Sequence, residues 1–259
     1  MVRNFAFLHL KFRCFFIIAK CCIKRDGKPI PYNVDLEKTM NNKTRYIATV
    51  GMLSAFAYIL AVIGHFVPIY FNDFLKYDPK DAIIVMAGFA LGPVSSIIIS
   101  VIVAFLELIT ISTTGVIGFA MNIISSVAFA TVAALVYKYK KSISGAVCGL
   151  LLSSAVTVGA MLLWNYWITP IYMGVPREMV AGMLLTVFLP FNVIKCGLNG
   201  ALTMLIYKPC VQAMRRVGLI KIKSTSAIKR PKSNLRVALP SLVVMALMIA
   251  LFIIFKLNG

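Results

Sequence analysis

Acidic side chains are scarce in this chain: 8 Asp and Glu stand against 27 Lys and Arg, and none follows Glu178. Spread so thinly, they offer no paired-carboxylate site for glycoside-type hydrolysis. Histidine is rarer still, at His9 and His65 only, so a histidine-rich metal centre is excluded and no metal-ligating set is expected. No G-x-x-x-x-G-K-[ST] occurs, because Gly27-Lys28 is followed by Pro29 and has Cys22 where the leading glycine belongs. Hydrolysis of ATP through such a phosphate loop is therefore not this chain's own work. G-x-S-x-G and H-E-x-x-H are also missing, which leaves an enzyme reading little support. The six cysteines, at Cys14, Cys21, Cys22, Cys148, Cys196 and Cys210, contain no C-x-x-C pair. They read as small hydrophobes or free thiols without a disulfide framework.

What the chain has is apolar length. It is 60% hydrophobic and only 14% charged, with a mean hydropathy of +0.90, too apolar for a soluble globular domain. The formal charge of +19 lies in short loops and tails between apolar runs, which is the positive-inside pattern of a membrane protein and not the soluble basic face that nucleic acid requires. No nucleic-acid partner is expected.

The pattern predicts an all-α integral membrane fold. Six apolar segments, at 46–66, 82–91, 94–109, 115–136, 145–172 and 180–207, form a core over residues 40–216, with both ends of the core on one side. The second segment is short for a span, so it is expected to be tilted, broken or partly buried in protein. Residues 1–39 form an N-terminal extension. Met40 reads as the natural start, with residues 5–19 lying on the membrane as an amphipathic anchor as the alternative. A basic linker at 217–236 precedes a last apolar run at 237–259 that can span once more. Lys43 and Arg45, then Lys138, Lys140 and Lys141, then Lys208, Arg215 and Arg216 sit on one side, and Asp73, Asp78, Asp81 and Glu178 on the other. By the loop rule the N-terminus of the core is cytoplasmic, in a multi-pass protein of the cell membrane.

Polar residues inside apolar segments call for a reason, since a charge at membrane depth costs about 2.5–3.5 kcal/mol on insertion scales. Leu189-Pro190-Phe191-Asn192-Val193-Ile194-Lys195 sets an amide and an ammonium three residues apart, on one helix face. Asn122 and Asn165 lie in the fourth and fifth segments, the latter beside Trp164 and Tyr166, whose rings would give flat walls to a planar ligand. Each amide alone is satisfied by an interhelical hydrogen bond; together with Lys195 they favour a pocket for a polar, non-ionic ligand. Glu107, near the end of the third segment, is read either as a partner for Lys195 or as an interfacial acid. In the first segment Gly51, Ala55, Ala57 and Ala61 leave a small-residue stripe that lets another helix approach.

The loop Phe74-Leu75-Lys76-Tyr77-Asp78 with Asp81, the turn Gly88-Phe89-Ala90-Leu91-Gly92-Pro93, the Asn165-Tyr166 pair and the Leu189 to Lys195 segment together resemble the riboflavin-specific substrate-binding subunits (S components) of energy-coupling factor (ECF) transporters. The resemblance runs from Met40 to Arg216 and implies a six-helix S-component-like bundle, with the last apolar segment as an addition. It implies that riboflavin is bound from outside as a transported ligand, with no cofactor. Asn165, Asn192 and Lys195, and less directly Asn122, would hold the flavin, with Leu75, Lys76 and Tyr77 in a covering loop. The stripe at Gly51, Ala55, Ala57 and Ala61 would meet the transmembrane coupling subunit, while two ATPase subunits supply energy. Competing readings are an S component for thiamine, pantothenate or folate, a small membrane enzyme acting on lipid-linked substrates with Lys195 and Glu107 as its centre, and a purely structural anchor.

Overall fold

Long apolar runs in lipid must satisfy their own backbone polarity, and helices do so. The computed structural model describes residues 42–66, 70–72, 75–216 and 235–258. The expected N-terminal extension, with Met40 and the 5–19 anchor, lies outside these residues, as does the basic linker up to residue 234. The described chain runs α1 (Asn42–Phe66), a short hairpin of β1 (Tyr70–Asn72) and β2 (Leu75–Lys76), α2 (Lys80–Leu91), α3 (Pro93–Thr110), α4 (Gly115–Tyr139), α5 (Ile143–Met173), α6 (Arg177–Met183), a π-helical turn (Leu184–Phe188), α7 (Leu189–Arg216) and α8 (Leu235–Asn258). The hairpin strands are antiparallel, with Tyr70 opposite Lys76. Among the described residues, five helices are long and apolar enough to cross a membrane, the α6–π–α7 rod counting as one.

The segment expected to be short is resolved by burial. At 12 residues, α2 rises only about 18 Å, less than a bilayer core of about 30 Å. It is unbroken and enclosed, with Ala82, Ile84, Val85 and Ala87 at 0% exposure, and it packs on α1, α3, α4 and α7. A helix surrounded by protein need not match the lipid thickness. Its exit is a hairpin into α3 through Gly92, whose φ of 104° lies where a Cβ is disfavoured, followed by Pro93 at the first helical position, where its missing N–H costs nothing.

Small side chains bring the helices close. A Cβ on Gly149 of α5 would stand 2.9 Å from the Ala133 carbonyl oxygen of α4, and one on Gly88 of α2 would stand 2.8 Å from the Ala134 Cβ. The core is built from α1 to α5 and α7, around Ala57, Val85, Val103, Phe129 and Ala146. The extra helix α8 lies against α7, with Met245, Met248 and Phe252 on the Val180, Phe191 and Ile194 cluster, and the Met248 Sδ sits over Gly197.

Helix α1 corrects one expectation. Gly51 and Ala55 are exposed, but Ala57 (0%) and Ala61 (4%) are buried, so the four do not form one docking stripe. Positions 51 and 55 share a face, as do 57 and 61, yet the step from 55 to 57 turns about 200° around the helix.

Gly149→Leu should lower the thermal midpoint of the detergent-solubilised protein, by the equivalent of about 1–3 kcal/mol of overpacking. Gly159→Leu on the same helix, where a Cβ meets nothing within 4 Å, should leave it unchanged.

Candidate functional site

Helix α2 begins in a knot of charge. The Asp78 Oδ1 accepts the Lys80 backbone N–H at 3.1 Å, satisfying one of the free donors at the helix start. The Lys80 side chain folds back so that its Nζ lies 2.6 Å from the Asp78 Oδ2 and donates at 2.6 Å to each oxygen of Glu107 on α3. Lys80 is 2% exposed. Asn122 of α4 donates its Nδ2 to the Glu107 Oε2 at 3.0 Å, so both oxygens of the carboxyl receive donors.

A second set of bonds ties the same loop end to α7. Tyr77 donates its Oη to the Asn199 Oδ1 at 3.1 Å, and the Asn199 Nδ2 donates to the Asp78 backbone oxygen at 3.2 Å. Ser126 donates to the Asp81 Oδ1 at 2.6 Å. Burial pushes the Tyr77 phenol up, and the Asp81 and Asp78 carboxylates push it further, so it stays a neutral donor. Burial alone would also raise the Asp78 carboxyl, but the Lys80 and Lys195 ammoniums outweigh it and hold that group below its usual value.

Between these groups lies a cavity of about 160 Å³ lined by Tyr77, Asp78, Glu107, Asn122, Asn165, Phe191, Asn192 and Lys195, among others. Five of the residues singled out in the sequence, Tyr77, Asn122, Asn165, Asn192 and Lys195, thus come together on one space. Leu75 and Lys76 form β2, immediately before Tyr77. A larger gap of about 560 Å³ between α5, α7 and α8 is almost wholly apolar and offers no converging donors.

The amides are used differently. Asn165 donates to the Met161 carbonyl at 2.7 Å and accepts from Thr169 at 2.9 Å, and Asn192 donates to the Phe188 carbonyl at 2.8 Å. All three bonds are local, each spanning four residues along one rod, so the expected interhelical role belongs to Asn122 alone of the three amides. The π turn comes just before Pro190, which has no N–H to give the fourth carbonyl back; the Leu189 N–H instead reaches the Leu184 oxygen, five residues back. Such turns are frequent at functional sites, and here the turn leads directly into Asn192 and Lys195. No ion pair or hydrogen bond engages the Lys195 Nζ among the described residues.

Two expectations are corrected. The partner of Glu107 is Lys80, not Lys195, because the start of α2 is enclosed next to α3. The flat walls come from Tyr77, Phe191 and His65, not from Trp164 and Tyr166; sequence neighbours of Asn165 project about 100° away from it. Lys80 and Asn199 were not marked in the sequence. Asn199 carries a signal, since it continues the Asn192–Lys195 face at i+7, whereas Lys80 reads as one more loop lysine.

Comparison with known proteins bears on the family and the fold. The model of the family described as "ECF transporter, substrate-specific component" matches residues 45–207. The chain is 24% identical to the riboflavin transporter RibU of Staphylococcus aureus (strain TCH60) over 181 residues, covering 68% of this chain and 95% of that protein. It is 29% identical to the riboflavin transporter FmnP of Bacillus subtilis (strain 168) over 190 residues, covering 67% and 97%. A solved structure titled "Structure and mechanism of the S component of a bacterial ECF transporter" superposes with a TM-score of 0.58 at 27% identity, covering 67% of this chain and 99% of that one. The extra helix α8 lies beyond the residues that the family model matches.

Lys80→Met should destabilise the protein by about 3–5 kcal/mol, since it strands the buried Glu107 carboxyl and removes the cation from the part-buried Asp78. Adding Glu107→Leu should recover part of that loss, with thermal unfolding in detergent as the readout. Because the Asp78 carboxyl is lowered, its stabilisation is present above the ordinary carboxylate value and is lost only as pH falls through the lower native one. The difference in thermal midpoint between wild type and Asp78→Asn should therefore hold steady from about pH 8 to pH 5 and close only in stronger acid.

Proposed function

Because the chain belongs to the family of substrate-specific components of ECF transporters, we propose that it captures riboflavin outside the cell for uptake driven by partner subunits. The chain is a multi-pass membrane transport component and not an enzyme. The observation that carries the ligand assignment is Lys195, an ammonium without an ion-pair partner among the described residues, placed with Asn192 and Asn122 around one polar cavity. Two relatives named as riboflavin transporters support it.

In this reading the two amide oxygens and the ammonium take the polar edge of the flavin and its ribityl hydroxyls, while Tyr77 and Phe191 supply flat contact. The hairpin with Leu75 and Lys76 covers the entrance. Orientation follows from charge: the cavity is built from the late part of α1, the start of α4 and the late part of α5, at the end away from Lys43, Arg45, Lys138, Lys140 and Lys141. With the lysine-bearing end in the cytoplasm, the N-terminus of the core is inside and the cavity opens outward. The exposed Gly51 and Ala55 leave α1 open to the transmembrane coupling subunit, and two ATPase subunits supply the energy that this chain, lacking a phosphate loop, cannot.

Protein purified in detergent should carry a flavin absorbance spectrum or quench the fluorescence of added riboflavin with one-to-one stoichiometry. Asn192→Ala and Lys195→Ala should each weaken binding by about 1–3 kcal/mol, the cost of stranding a buried ligand group. Unchanged affinity in both would remove the site assignment, and no quenching by the wild type would redirect the ligand search to other vitamins.

A further inference from the structure

An asparagine amide can present either its oxygen or its nitrogen, and its neighbours decide which. At Asn122 the neighbour is Glu107, a carboxylate that only accepts, so the Asn122 nitrogen must face it, as the 3.0 Å contact records. The Asn122 Oδ1 has no hydrogen-bond partner among the described residues, and the residue lines the cavity. Glu107 in turn cannot rotate away, because Lys80 holds both of its oxygens at 2.6 Å and is itself enclosed and anchored on Asp78.

We propose that Glu107, clamped by Lys80, is a positioning residue that fixes Asn122 as a hydrogen-bond acceptor toward an O–H or N–H group of the ligand. The proposal rests on the riboflavin reading of the cavity. The other amides differ: both polar atoms of Asn165 are engaged by its own helix, and Asn192 has its nitrogen on the Phe188 carbonyl. Asn122 is thus the amide whose polarity is set from another helix, and the hydrogen bond from its nitrogen polarises the amide so that the oxygen is a better acceptor.

The test is a double-mutant cycle on the full chain in detergent, read by riboflavin fluorescence quenching, with the thermal midpoint of each ligand-free variant measured alongside. Glu107→Gln and Asn122→Ala should each weaken riboflavin about tenfold, and the double variant should also lose about tenfold instead of about a hundredfold, because Glu107 acts through Asn122. A second variant guards against misfolding of Glu107→Gln. Asn122→Asp alone sets two carboxylates together and should bind weakly, whereas Asn122→Asp with Glu107→Gln reverses donor and acceptor, keeps an oxygen toward the cavity and should regain about tenfold. Additive losses in the cycle, or no recovery in the swapped pair, overturn the proposal and leave the riboflavin site standing. A wild type that binds no riboflavin overturns both.

Discussion

Lys80 is a positive charge that the fold has almost entirely removed from solvent, and an ion in that position must be met by charge on every side that faces it. It is met by Asp78, from the end of the loop, and by Glu107, one turn from the end of α3. Through Glu107 the constraint reaches Asn122 on α4. Around Asp78, Asn199 reaches the same backbone from α7. The start of α2 and the loop end before it are therefore tied to three other helices, and loss of the Lys80 side chain alone would leave the buried Glu107 carboxyl without its cation. The cavity is the space that these bonds hold open.

A polar stripe on α7 forms the opposite wall. Asn192, Lys195 and Asn199 recur at three- and four-residue steps, so a single helix face carries the amide and ammonium of the cavity and the amide that binds Tyr77 and Asp78. Pro190 and the π turn precede this stripe. Loss of one i−4 bond there is absorbed by a wider turn, not by a break in the rod. The division is one of depth: charged groups gather at the end with Asp78, Glu107 and Lys195, and the opposite end of the core is joined by hydroxyl pairs, Tyr46 with Ser95 and Tyr137 with Tyr207.

The comparisons and the geometry meet in the same stretch. Residues 45–207 contain α1 through most of α7, and every residue lining the polar cavity falls within them. Helix α8 adds a face to α7 through Met245, Met248 and Phe252 and contributes nothing to that cavity. Its exposed surface, with Leu239, Leu247 and Ile254 each about half accessible, suits a segment that meets lipid.

Local features were legible in the chain because their cause is local. Apolar runs of about 20 residues mark spans, and the Asn192–Lys195 spacing sets both side chains on one face before any neighbour is known. Adjacency in sequence is not a shared direction on a helix: Ala57 and Ala61 turn away from Gly51 and Ala55, and Trp164 and Tyr166 flank Asn165 without sharing its direction. Composition and spacing alone mark the apolar segments, the polar face of α7 and the missing phosphate loop, but not how many of those segments cross the membrane: six core segments are expected and five long apolar helices are found among the described residues. Only the tertiary structure decided that α2 is enclosed, that Lys80 answers Glu107 across 27 residues, and that the amides of three helices converge, because burial and ion pairing depend on which helices become neighbours, and no local spacing specifies that.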